Sequence, residues 1–151
     1  RPMMVRLPDT SFSFANCARS LVYGAMVTLK LGMDILAGEN VRMDSLLGHG
    51  GFFKTPGTAQ KLLAGALNTP VSVMETAGEG GPWGMALLAA YRVHRETDET
   101  LEDYLVHHVF AGANSVTIEP DPEDVQGFAA YARRFEAGLS AERAAVSALK
   151  V

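Results

Sequence analysis

The sequence predicts an α/β fold in which parallel strands are joined by crossover helices. Three observations carry this. Between residues 41 and 94 the chain twice runs strand, glycine loop, helix. The strand candidates are short and partly β-branched, whereas the helix candidates place apolar residues three and four apart. Both glycine loops fall where a strand hands over to a helix. That alternation is the pattern of parallel strands with helical crossovers.

Taken in order, residues 11 to 37 hold helical spacing, with Phe14, Ala18, Leu21, Ala25 and Leu29 on one face and Val22, Met26 and Met33 alongside. Asp9, Thr10 and Ser11 can cap its start and Gly38 can end it. Gly24 and Gly32 inside it each cost about 1 kcal/mol relative to alanine, so close packing on a neighbour is expected there. "VRMDSLL" (41 to 47) reads as a strand, and Thr55-Pro56 as an N-cap followed by a first-turn proline. The helix beyond it carries Ala59, Leu62, Leu63, Ala66 and Leu67 on one face. "PVSVM" (70 to 74) is a second strand, "ETAGEGG" (75 to 81) a second glycine loop, and Pro82 opens the helix "PWGMALLAAY". Further on, "ETDETLEDYLVHHVF" reads as a helix with an acidic first turn and "NSVTIEPDP" as an extended segment. Pro122 to Gly138 forms a helix burying Val125, Phe128, Ala129, Ala132 and Phe135, and Ser140 caps a last one ending near Leu149.

At 151 residues the chain can bury a real core, and 48% hydrophobic with 20% charged residues is a globular composition. Net charge is −4 with no lysine or arginine block, which argues against a nucleic-acid or anionic-membrane partner. The single cysteine, Cys17, lies among apolar residues and fits a reducing cytoplasm. No signal peptide and no apolar run long enough to span a membrane are read.

Seven of the 15 glycines sit in two stretches, 48 to 51 and 78 to 84. If both follow parallel strands, they share the sheet edge where α/β proteins bind ligands. Backbone N–H groups and two helix starts there suit an anion, and a phosphate is the natural one. Tight turns are the competing explanation. Neither loop matches GxxxxGK[ST] or GxGxxG, so P-loop and Rossmann readings fail. His49 lies within the first loop and suits either an anion contact or loop packing. His107 and His108 are adjacent and would point apart on a helix, and His94 has no HxxxH or HExxH partner, so no metal site is read. "DPEDV" and "ETDETLED" are first-turn acidic clusters. Trp83 can flank a base or pack beneath its loop.

This ordered set resembles the C-terminal domain of the FGGY family of carbohydrate kinases, of the actin-like ATPase (ribonuclease H-like) superfamily. "SLLGHGGFFKTPGTAQKLLAGALNTPVSV" is similar to the strand, Gly-Gly loop, helix and strand that hold the adenine nucleotide. "METAGEGGPWGMALLAAY" resembles the family's later helix start, and "LPDTSFSFANCARSLVYGAM" partly follows its signature. "EPDPEDVQGFAAYARRFEAGL" is like the tail helix of xylulose-kinase-type members.

The resemblance implies that Gly50 and Gly51 lie against the phosphates of ATP, with Phe52 and Thr55 near the ribose or adenine. Gly78, Gly80 and Gly81 would line the other side of the pocket. It implies Mg2+ carried by the nucleotide and a pentulose such as xylulose or ribulose as substrate. No residue matches the family's catalytic aspartate, its phosphate hairpin or its sugar-binding domain. The chain starts at Arg1, not at a methionine, so residues 1–151 are expected to be the nucleotide-side lobe of a longer kinase. Its first strands would be missing, leaving a bare edge prone to homodimerise. Arg6, Tyr23, His49, Phe52 and Phe53 depart from the family pattern. Those departures leave open a non-catalytic actin-like binding or assembly module, and a plain α/β interaction domain whose glycines are only turns.

Overall fold

The computed structural model describes residues 3–75 and 77–149; Thr76, in the second glycine loop, lies outside them. In chain order the elements are α1 (Phe14–Gly38), β1 (Leu46–Gly48), α2 (Thr58–Leu67), β2 (Val71–Met74), α3 (Gly80–His94), α4 (Leu101–Tyr104), β3 (Ser115–Ile118) and α5 (Pro122–Ala148). Short 3-10 turns occupy Gly51–Lys54 and Ala77–Glu79, and a π turn occupies Leu105–Val109. Contacts divide the chain into two compact units.

One unit gathers the chain up to Arg42, Gly65–Asn68 and the chain from Asp121 onward. Ser13 caps α1, its hydroxyl accepting from the Asn16 N–H at 3.2 Å, in place of the expected Asp9 to Ser11. Gly38 is still helical, and left-handed Asn40 (φ 62°) follows the helix end. The expected core face of α1 is on the outside: Phe14 is 90% exposed and Leu21 68%. Tyr23 and Val27 on the opposite face are buried, and so is Met26, which the spacing places alongside the first face. The partner of the buried side is α5, where the Tyr23 ring meets Phe128 and Tyr131 edge-on at centroid distances of 5.0 and 5.4 Å. The Tyr131 hydroxyl also donates to Ser20 O at 2.9 Å. Helix α1 is apolar on both faces, so periodicity alone could not choose between them. By length and composition it is even long and apolar enough to cross a membrane, against the expectation of no such run. Polar residues scattered among the apolar ones had hidden this.

Helix α5 is one element, not two. Asp121 caps it by accepting from the Glu123 N–H at 2.8 Å, with Pro122 in its first turn. Gly138 does not stop it, because one glycine costs only about 1 kcal/mol among good helix formers. The Ser140 hydroxyl donates to Ala137 O within the helix and caps nothing. Phe128 is buried, but Ala129, expected beside it, is exposed.

The other unit, Met43–Ala64 with Thr69–Pro120, holds a three-stranded sheet in the order β1-β2-β3. Strands β1 and β2 are parallel, with Leu46 opposite Val71, as the alternating pattern requires. The extended segment after residue 114 becomes β3, antiparallel to β2 with Val71 opposite Ile118. Strand β1 is shorter than 41 to 47. Leu46 N–H donates to Pro70 O at 2.9 Å, and Pro70, lacking an N–H, cannot carry the ladder further back. Helix α2 starts at Thr58, not at Pro56, because left-handed Gly57 (φ 74°) stands between them. Buried Gln60 ties α2 to the sheet, its amide donating to Val71 O at 3.1 Å and Val116 O at 2.8 Å. Thr100 caps the acidic first turn of α4, which then widens into the π turn.

Candidate functional site

Because β1 and β2 are parallel, their carboxyl ends share one sheet edge, and both glycine loops leave from it. The two loops touch. Gly50 N–H donates to Ala77 O at 2.6 Å. A Cβ placed on Gly80 would lie 3.0 Å from His49 Cβ, and one on Gly78 would lie 3.3 Å from Lys54 Cε. Gly78 in the loop and Gly80, with which α3 starts two residues ahead of the expected Pro82, therefore let the second loop settle onto the first. His49 serves that packing, and the Lys54 stem crosses Gly78.

The remaining loop glycines divide by cause. A Cβ on Gly48 would sit 2.5 Å from the Phe53 ring, so the strand end stays bare for that ring. Gly50 has φ 100° and ψ 178°, a region essentially reserved for glycine. Gly51 and Gly81 share neither reason. Each has an unexceptional φ, and a Cβ there would meet nothing within 4 Å. Of these neighbours only Gly50 has an unusual dihedral, and its N–H is already engaged. Phe52 is 47% exposed and packs edge-on against Phe53, and Thr55 is exposed just after the turn.

Aromatic contacts fix the chain beyond α3. Tyr91 meets Tyr104 at 5.4 Å between centroids, and its hydroxyl donates to Glu99 O at 2.8 Å. At the start of α3, Trp83 meets Phe110 at 5.8 Å. The segment from Thr100 to Phe110 is thus held to α3 near both ends. His108 Nε2 lies 3.0 Å from Glu99 Oε1, within hydrogen-bond distance. Among the described residues, no group of three or more His, Cys, Asp or Glu could hold a metal ion. The acidic clusters at Glu102-Asp103 and Glu123-Asp124 occupy first helical turns, where the helix dipole favours them. Sequence reasoning missed Lys54, which crosses Gly78, and Phe110, which meets Trp83. Phe110 lies where the periodic pattern fades, and no motif marks it.

The chain matches the family model of the C-terminal domain of the FGGY family of carbohydrate kinases over residues 3–93, which includes both glycine loops. No curated protein and no solved structure matches it. With that match covering more than half its length, the chain belongs to the FGGY family of carbohydrate kinases, to which it contributes a C-terminal domain.

Proposed function

We propose that this domain is the nucleotide-binding lobe of an ATP-dependent kinase that phosphorylates a pentulose such as xylulose or ribulose in the cytoplasm. The observation that carries the reading is the pair Gly51 and Gly81. They flank the meeting of two loops at the carboxyl edge of β1 and β2, and the fold itself does not require glycine at either position. Bare backbone at such an edge suits phosphate oxygens, which approach N–H groups more closely than a Cβ would allow. ATP would supply the phosphoryl group, and Mg2+ would arrive on its phosphates. Lys54 would add a positive charge beside the loops. The general base and the sugar contacts would come from another lobe.

The rival reading, a non-catalytic module, drew on the departures at Arg6, Tyr23 and Phe52. Tyr23 now has another explanation, since it is a core residue packed on Phe128. The test is Gly51→Ala in the full protein, with ATP and sugar titrated separately. The expected result is a KM for ATP raised about tenfold with the sugar KM unchanged. Unchanged ATP affinity in the folded variant would reject the proposed phosphate contact. Pentulose phosphorylation by these 151 residues alone would reject the assignment to a nucleotide-side lobe.

A further inference from the structure

Two side chains of the first glycine loop are each laid on a bare glycine where the second loop enters α3. His49 meets Gly80: a Cβ on that glycine would lie 3.0 Å from His49 Cβ and 3.6 Å from its Cγ. Lys54 meets Gly78, where a Cβ would lie 3.4, 3.9 and 3.3 Å from its Cγ, Cδ and Cε. The Lys54 stem therefore runs flat across the second loop. Its ammonium, one bond beyond Cε, stands at that loop and not at its own. The imidazole of His49 begins at Cγ, so its nitrogens stand within a ring's width of the first turn of α3. Both residues remain exposed. Packing alone would be served by any side chain of similar reach, yet both of these are basic.

We infer that His49 and Lys54 together present positive charge to phosphates held at the second loop, and that His49 makes this contact weaken as pH rises. The inference rests on the nucleotide-lobe reading above and adds a regulation to it. Position supports it. Gly81, whose backbone the fold leaves bare, directly follows Gly80, so the two basic side chains and the bare backbone share one edge. The chemistry divides between the two residues. A lysine ammonium is a compact point charge suited to a phosphate. Histidine is the side chain whose charge changes between about pH 5 and 8, so its imidazolium adds to the attraction at the acid end and is lost at the other. Among the described side chains of the two loops the other charged group is Glu75, which is exposed at the foot of the second loop, where solvent screens it. His49 is also a position at which the chain departs from the family pattern, so a pH-dependent contact there is a property of this chain.

Calorimetric binding of ADP and of adenosine to the full protein across that pH range tests this, beside His49→Gln, Lys54→Met and Lys54→Arg. The titration of ADP's own phosphates is common to every protein compared, so differences between them report on the side chains. The parent should bind ADP about threefold to tenfold more tightly than His49→Gln at the acid end, and the two should converge at the alkaline end. Lys54→Met keeps a stem over Gly78 but removes the charge, so ADP binding should weaken by a similar factor at every pH. Lys54→Arg should restore most of it. Adenosine, which has no phosphate, should bind all of them alike. Thermal unfolding checks that each variant is folded, and His49→Asn or Lys54→Gln replaces one that is not. If His49→Gln keeps the parental pH dependence, or Lys54→Met binds ADP as tightly as the parent, the inference is overturned. The nucleotide-lobe reading then still stands, because ADP binds. If ADP and ATP both fail to bind the folded parent, both readings fall.

Discussion

The Phe53 ring lies across Gly48 so closely that a Cβ on that glycine would come within 2.5 Å of two ring atoms. The contact anchors the first glycine loop to the end of β1. Gly48→Ala should therefore cost about 1–3 kcal/mol through overpacking. Phe53→Leu in the same chain should recover part of the loss by giving the methyl room. Urea unfolding of the two variants checks this, and a Gly48→Ala protein as stable as the parent would refute the contact.

Gly50 and Gly51 are neighbours with opposite expected sensitivities. At Gly50, alanine would be held at φ 100°, and stability should fall by about 1–3 kcal/mol. At Gly51, alanine meets nothing and stability should hold within about 0.5 kcal/mol. Thermal unfolding of both variants, read beside their ATP affinities, separates the turn from the ligand contact. Equal destabilisation at both positions would contradict the loop geometry.

The two faces of α1 should answer mutation very differently. Tyr23→Ala removes a buried ring packed on Phe128 and should cost about 3–5 kcal/mol. Leu21→Ser, on a side chain 68% exposed, should change stability by no more than about 0.5 kcal/mol. Denaturant midpoints of these 151 residues would show it. A large loss at Leu21 would mean that its face is covered in solution.

Burial raises the Tyr131 phenol above its ordinary pKa, so the folded state holds this proton longer than the unfolded chain does. Its contribution is complete below the unfolded pKa and disappears as pH rises through the folded one. The protein should lose stability on alkaline titration, and Tyr131→Phe should flatten that loss. The variant should be less stable at neutral pH, because Ser20 O loses its 2.9 Å donor. Identical alkaline slopes in the two proteins would exclude Tyr131 as the titrating group.

The alternation of strand, glycine loop and helix was legible because each repeat is local. Apolar spacing marks α2, β-branched residues mark β2, and glycines mark the handovers between them. The parallel pairing of β1 with β2 follows from that order alone. The acidic first turn of α5 was legible because the helix dipole acts within one turn; that of α4 was legible only in part, since the helix starts at Leu101 and Glu96, Asp98 and Glu99 precede it.

What the sequence by itself determined is thus the α/β order, the parallel strand pair and the grouping of glycines at one sheet edge. Tertiary structure decided which face of α1 is buried, because both faces are apolar and the rings of Phe128 and Tyr131 pack on the Tyr23 side. It also sorted the glycines. A bare Cα looks the same in sequence whether it makes room for Phe53, adopts a φ of 100° or meets open space. Finally, it brought Phe110 to Trp83 across 26 intervening residues. That contact depends on how the chain beyond α3 folds back, and no local periodicity encodes such a return.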